Sequence, residues 1–357
     1  MYDLTTALVD GVDPIPGPNV KPEIPKELLK PDLPKPVEPK DPTKPEAPVY
    51  PPVPRTIQRL FGTNRITTAT RVSKELVDKS NEVIIASSTN FADALVAASF
   101  SRRGDSYIPI LLNGRDALNP EVKTEILRLK ANSVYIIGGA GVISQNVMNE
   151  IIALGGDGVG KISAVRIAGQ NRYETANLIA DRTGNKNRFI LANGNVFADA
   201  LSVSAYSALT KIPIMLTDGK TLDAKTEKRL NSASEVIIIG GSNSVSGPIG
   251  DKLRQNGVTV SRISGRDRID TGIEVSKKLF PNNKVFIVAY GYDFPDSLVG
   301  APLAAKYGGT ILLSDSKSLS PAVDAYLNSV KPSNIIVLGG NNSISASIYN
   351  ALDLKIK

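Results

Sequence analysis

From Arg55 to its end the chain alternates two kinds of stretch. Short runs apolar at nearly every position, such as Val83-Ile84-Ile85-Ala86, Ile108-Pro109-Ile110-Leu111-Leu112 and Val134-Tyr135-Ile136-Ile137, read as strands covered on both faces. Between them lie segments with helical spacing. Thr68 to Lys79 carries Ala69, Val72, Leu76 and Val77 on one face, and further helices are expected from Phe91 through about Phe100, from Asn119 to Leu129 and from Ser144 to Leu154. Such strands, separated by helices, predict right-handed βαβ units and a parallel sheet.

The same order of elements then recurs twice. Phe189-Ile190-Leu191-Ala192, Ile212-Pro213-Ile214-Met215-Leu216 and Val236-Ile237-Ile238-Ile239 repeat the three strands. So do Val285-Phe286-Ile287-Val288, Thr310-Ile311-Leu312-Leu313 and Ile335-Ile336-Val337-Leu338. A period of roughly 100 residues is the size of a small domain. The fold class is α/β, with three tandem parallel-sheet repeats at 55–161, 162–258 and 259–357. Sheets of three or four strands leave apolar helix surface uncovered, so the repeats are expected to pack as a pseudo-trimer.

Composition adds a leader to this plan. Residues 1–54 hold 15 of the 24 prolines, and proline at this density predicts an extended, polyproline-II-like linker. A Pro-x-x-Pro ligand is the alternative. A spacer joins two working parts, so the chain reads as the carboxyl-terminal portion of something longer. Met1-Tyr2-Asp3-Leu4 has no basic region followed by an apolar one, so no signal peptide is expected there. No apolar run approaches the roughly 20 residues of a membrane-spanning helix. The linker carries six Lys against nine Asp or Glu, a net of −3, which leaves +10 for the rest of a chain of net charge +7. A basic folded part points to an anionic partner. Aromatic residues make up only 5% of the chain, without Trp, which argues against a nucleic-acid binder.

The chain has no Cys and no His. That excludes disulfides, thiol nucleophiles, thiolate or histidine metal sites and a Ser–His–Asp triad. No catalytic residue, metal or cofactor is expected. The alternative, an α/β enzyme acting on a phosphorylated or glycosyl substrate, needs an unrepeated acid–base pair in one copy. Asp293 beside Asp296 is the candidate, with no partner in view.

Four motifs recur in every copy. The first reads Arg59-Leu60-Phe61-Gly62-Thr63-Asn64-Arg65-Ile66-Thr67-Thr68-Ala69, and returns from Arg166 to Ala176, with Arg172, and from Arg262 to Gly272, with Arg268. Two arginines per copy are enough for one to serve the fold and the other to face an anion. A bidentate pair with the repeated Asp is the structural alternative. The second motif is Phe91-Ala92-Asp93-Ala94-Leu95, matched by Phe197 to Leu201 with Asp199, and by Phe294 to Leu298 with Asp296. With Asn90 or Asp293 as N-cap, Asp93 and Asp296 fall at the third helical position, where a carboxylate complements the dipole. The third comprises Ile110-Leu111-Leu112, Ile214-Met215-Leu216 and Ile311-Leu312-Leu313, buried strands whose polar trailing loops are candidate ligand surfaces. The fourth is the double glycine at Gly138-Gly139, Gly240-Gly241 and Gly339-Gly340, a tight turn with room for anion contact. Gly155 to Lys161 imitates a P-loop, but Ile162 stands where Ser or Thr must reach magnesium, and the segment follows a helix.

Together these motifs resemble the type 2 cell-wall-binding repeats of clostridial surface-layer and cell-wall proteins, over about residues 55–357. The resemblance implies a Rossmann- or toprim-like fold per repeat, a trimer of repeats and a secreted, cell-surface location on a Gram-positive cell. It also implies non-covalent anchoring to an anionic, teichoic-acid-like secondary wall polysaccharide, with S-layer proteins as further partners and no membrane insertion. The family's Ile-Leu-Leu motif is tied to anchoring and carries over to Ile110-Leu111-Leu112 and Ile311-Leu312-Leu313. Met215 replaces the central Leu of the second copy. On this basis the ligand-binding candidates are the six arginines, the three aspartates and the three triplets.

Overall fold

The computed structural model describes residues 56–156 and 160–356. The linker expected over 1–54 lies outside them, as does part of the P-loop-like connector. The first repeat runs β1 (Thr56–Leu60), α1 (Arg65–Leu76), β2 (Glu82–Ser87), a 3-10 helix (Ala94–Phe100), a short hairpin of β3 (Arg102–Arg103) and β4 (Ser106–Tyr107), β5 (Ile110–Asn113), α2 (Pro120–Leu129), β6 (Ser133–Ile137) and α3 (Gln145–Ala153). The second has β7 (Ser163–Ile167), α4 (Arg172–Thr183), β8 (Arg188–Asn193), α5 (Ala198–Thr210), β9 (Ile214–Thr217), α6 (Ala224–Asn231), β10 (Glu235–Ile239) and α7 (Gly247–Gln255). The third has β11 (Thr259–Ile263), α8 (Arg268–Leu279), β12 (Val285–Tyr290), α9 (Pro295–Lys306), β13 (Thr310–Ser314), α10 (Pro321–Val330), β14 (Asn334–Leu338) and α11 (Ala346–Ile356).

Three four-stranded parallel sheets result, and their membership cuts across the repeats. The orders are β5-β2-β6-β7, β9-β8-β10-β11 and β13-β12-β14-β1. The opening strand of each repeat therefore completes the sheet of the one before it: Arg166 pairs with Ile136 and Arg262 with Ile238. The first strand of the chain closes the ring, with Thr56 through Leu60 in register with Asn334 through Leu338. These arginine-bearing segments are edge strands borrowed by a neighbour.

Each sheet separates two cores. One face of each packs into its own cluster, for example Val83, Ile85 and Leu111 with Val122 and Ile126 in the first repeat. The other faces meet in one cluster containing residues of all three repeats, among them Leu95, Leu201 and Leu298. Here α5 packs on α9, and both touch the 3-10 helix. This is the pseudo-trimer, and its axis is marked by Phe91, Phe197 and Phe294. Their ring centroids are 5.5, 6.0 and 6.4 Å apart. The first repeat adds its hairpin, from which Arg102 donates to the Leu209 carbonyl and the Tyr107 hydroxyl donates to that of Ala305. The hairpin thus ties the first repeat to both others.

The triplets split between these cores by strand alternation. Ile110, Leu112, Ile214, Leu216, Ile311 and Leu313 face the shared cluster, while Leu111, Met215 and Leu312 face their own repeats. All nine side chains are at most 2% exposed. Six of them hold the trimer together, three fill the cores of their own repeats, and none offers side-chain surface to a ligand. That corrects the expectation of contact for these nine residues.

Candidate functional site

The arginine motif is a chain of local hydrogen bonds that ends in one free function. Asn64, Asn171 and Asp267 cap α1, α4 and α8, each accepting from two backbone amides, such as Ile66 N at 2.9 Å and Thr67 N at 3.0 Å on Asn64. The cap starts α1 at Arg65, three residues before the pattern predicted. Thr68, Thr175 and Thr271 fold the motif over the helix end by accepting from the amides of Gly62, Gly169 and Gly265 at 3.0 to 3.1 Å. A Cβ on Gly62 would come within 2.5 Å of the Thr67 backbone carbonyl carbon, so only glycine permits this approach.

The two arginines of each copy have different employments. Arg59 donates to the carbonyls of Gly339 at 2.9 Å and Ile344 at 2.7 Å. Arg166 reaches Gly138 O at 2.9 Å and Ser144 O at 3.2 Å, and Arg262 reaches Gly240 O at 2.7 Å. Each guanidinium thus locks the double-glycine turn of the sheet its strand has joined. Burial lowers the pKa of all three below the ordinary arginine value, against a raising contribution from Tyr349 at Arg59. The first arginine is structural, and its partner is backbone carbonyl, not the repeated aspartate.

Arg65, Arg172 and Arg268 each open a helix and donate to the carbonyl just beyond the next strand. These acceptors are Ser88 at 2.7 Å, Gly194, and Gly291 at 2.9 Å. Each also leans toward the preceding repeat. Arg172 lies over Phe91 and Arg268 over Phe197, both at 5.8 Å, and Arg268 also covers Tyr292 at 4.5 Å. Arg65 makes an ion pair with Asp293 at 3.0 Å. Neither Arg172 nor Arg268 makes an ion pair among the described residues.

The repeated aspartates sit against the first glycine of each pair. Gly138, Gly240 and Gly339 have φ of +111°, +105° and +96°, and a Cβ there would meet the carboxylates of Asp93, Asp199 and Asp296 within 3.1 Å. Asp199 accepts from Ser244 Oγ at 2.7 Å, and Asp296 is bonded to the Ser343 hydroxyl. Burial pushes both carboxyls up. The serine bond opposes this in each case, as does Arg268 at Asp199 and Arg65 at Asp296. Val142 stands where these serines would be in the first repeat. The expected N-caps do not form. Helices α5 and α9 start after Phe197 and Phe294, which put Asp199 and Asp296 second in the helix, and Asn90 caps only a local turn through Ala92 N at 3.0 Å.

These elements converge between consecutive repeats, beyond the carboxyl ends of the strands, where open α/β sheets bind ligands. The junction of the third and first repeats holds a cleft of about 640 Å³, lined by the loops after β1, β12 and β14. It brings Arg65 together with Asp296, and leaves out Arg59 and the triplets. Phe61, Tyr290, Asn341 and Asn342 also line it, none of which had been singled out from the sequence. The signal was the double glycine, whose trailing loop faces the next copy of the arginine motif. Among the described residues no group of acidic side chains could hold a metal ion, and no helix is long and apolar enough to cross a membrane.

A ring of three α/β repeats, with a cleft where its two ends join, defines a tandem-repeat binding module. The chain belongs to the cell wall binding domain 2 (CWB2) family, whose profile matches residues 59–148, 166–249 and 262–349, each beginning at the structural arginine. It is 30% identical over 299 residues to the N-acetylmuramoyl-L-alanine amidase LytC of Bacillus subtilis, covering 83% of this chain and 58% of that protein. Among solved structures it resembles Cwp6 of Clostridium difficile, with a TM-score of 0.76, 29% identity and coverage of 83% of this chain and 48% of that one. Cwp8 of the same organism gives 0.74, 32%, 84% and 51%. The chain thus spans about half the length of the proteins it matches. Its place is with cell-wall-binding modules.

Proposed function

We propose that this chain is a non-catalytic anchor that holds a secreted surface protein to a Gram-positive wall by binding an anionic, teichoic-acid-like secondary polysaccharide. The observation that carries the reading is the pair of guanidiniums at the internal junctions. Arg172 and Arg268 are held in place by backbone carbonyls and keep their charge uncompensated by any ion pair among the described residues. An arginine so fixed is pre-organised for phosphate or carboxylate. The wall polymer is itself repetitive, so several weak sites on one rigid ring raise avidity through effective concentration. In this reading S-layer proteins are neighbours at the same surface, reached through the polymer.

The test is adsorption of the purified chain to isolated walls, before and after chemical removal of the anionic polymer, over a salt series. Removal should abolish most binding, and rising salt should weaken it, because exposed Arg–phosphate contacts are screened. Charge reversal of Arg172 and Arg268 together should abolish adsorption while circular dichroism stays unchanged. Salt-independent adsorption to stripped walls would sink the proposal.

A further inference from the structure

The three junctions are built from one pattern, yet the ring-closing cleft carries different chemistry. Its Phe61 corresponds in register to Ala168 and Ser264 at the internal junctions, and its Tyr290 to Ser87 and Asn193. Two aromatic rings thus line this cleft, and Phe61 is half exposed there, at 51%. Its Asp293 corresponds to Asn90 and Val196. That carboxylate occupies Arg65, the cation left open at Arg172 and Arg268. Asp296 also lines the cleft, but Asp93 and Asp199 hold the same place at the internal junctions, so the difference rests on Asp293. An incoming anion would have to displace that carboxylate from Arg65. Meanwhile Asn341 and Asn342 supply neutral donors and acceptors in the same cleft as Phe61.

An aromatic face beside carboxamides and an ion-paired carboxylate, in a cleft without spare positive charge, fits an uncharged sugar ring. The C–H face of a pyranose covers the phenyl ring, and its hydroxyls find acceptors and donors at Asp293, Asn341 and Asn342. We propose that the ring-closing cleft is a subsite for a neutral pyranose, while the internal junctions take the anionic groups. This rests on the reading that a wall glycopolymer is the ligand. It assigns different parts of that polymer to different junctions.

The register itself supplies the variants. Phe61→Ala installs the residue that the first internal junction already has, and Asp293→Asn installs the counterpart of Asn90, so each is compatible with the fold. The full chain would be titrated with an uncharged N-acetylhexosamine disaccharide, an uncharged hexose disaccharide and glycerol phosphate, following the backbone amides of residues 138–142, 240–244 and 339–343 by NMR. At least one disaccharide should perturb residues 339–343, with affinity about tenfold weaker in Phe61→Ala. Glycerol phosphate should perturb residues 138–142 and 240–244 in the parent, and residues 339–343 as well once Asp293→Asn frees Arg65.

No response to either disaccharide at residues 339–343, a response indifferent to Phe61→Ala, or an equal glycerol phosphate response there in the parent overturns the proposal. If the chain adsorbs to walls through its anionic polymer while the disaccharides leave this cleft unmoved, the subsite fails and the anchoring reading survives. If the chain does not adsorb to walls, the anchoring reading fails first. Phe61-dependent adsorption that persists on stripped walls places the sugar in the glycan strands, and its loss on stripping places it in the anionic polymer.

Discussion

Two junctions join repeats that follow each other in the chain, and the third joins its two ends. At an internal junction Arg166 finds the Gly138 carbonyl 28 residues away, whereas Arg59 finds Gly339 across 280. Closing a tenfold longer loop from the unfolded chain costs about 2 kcal/mol more. The long-range junction carries side-chain ties of its own. Asn334 Nδ2 donates to Thr56 Oγ1 at 3.0 Å, Arg59 covers the Tyr349 ring at 4.9 Å, and Lys306 Nζ reaches the Leu76 carbonyl at 2.7 Å, at the end of α1. Arg65 adds its ion pair with Asp293. The difference teaches that a pseudo-symmetric ring need not be symmetric in its joints. Where connectivity does not bring two edges together, side chains of the two ends reinforce the β1–β14 ladder.

The largest effect is expected from removing β1. Deleting residues 1–60 uncovers the β14 edge and the carbonyls of Gly339 and Ile344, and should lower stability by on the order of 3 kcal/mol or more in chemical unfolding. It should also promote concentration-dependent self-association, seen by sedimentation. Next, Arg59→Ala should cost about 2 kcal/mol, since it takes the side-chain donor from the carbonyls of both Gly339 and Ile344. Arg166→Ala and Arg262→Ala should each cost less: Ser144 O keeps the Met148 amide, so each variant strips only one carbonyl, Gly138 or Gly240.

A smaller effect concerns pH. Asp199 and Asp296 have carboxyls raised by burial, so the folded state holds protons that the unfolded chain has released. Their contribution is fully present below the ordinary carboxylate range and is lost as pH rises through the raised values. At Asp296 the Asp293 charge pushes the same way, whereas Val196 stands at that position beside Asp199. Asp296→Asn should therefore stabilise the neutral-pH fold by on the order of 1 kcal/mol and flatten its dependence on pH in thermal melts. Asp199→Asn should do so less. A larger gain at Asp199 would break the proposed contrast. Last, Lys306→Met should cost about 0.5 kcal/mol by removing a cation from the carboxyl end of α1, a change readable as a small drop in melting temperature.

Much of this was legible along the chain because it depends on neighbours in sequence. The spacing of Ala69, Val72 and Leu76 marks α1, and unbroken apolar runs mark strands buried on both sides. Asn64, Gly62 and Thr68 form a motif whose bonds all close within seven residues. The site was harder to see. That one arginine of each pair belongs to the fold was foreseeable, but not which one, because the acceptors of Arg59 lie at the far end of the chain. Ile110-Leu111-Leu112 looked like both a strand and a site, and only packing shows its side chains turned into two different cores.

What the sequence determined by itself is the repeated unit: its periodicity, its caps, its tight turns and the pattern that makes its strands parallel and covered. Those follow from local geometry and from burial, which each copy specifies alone. The tertiary structure decided which strand completes which sheet, and so which residues face each other in the clefts. Edge-strand exchange pairs residues across repeats by backbone hydrogen bonds that any side chains satisfy equally well, and such pairing leaves no periodic mark. Phe61 and Tyr290, from opposite ends of the chain, line one cleft only because β1 closes the ring.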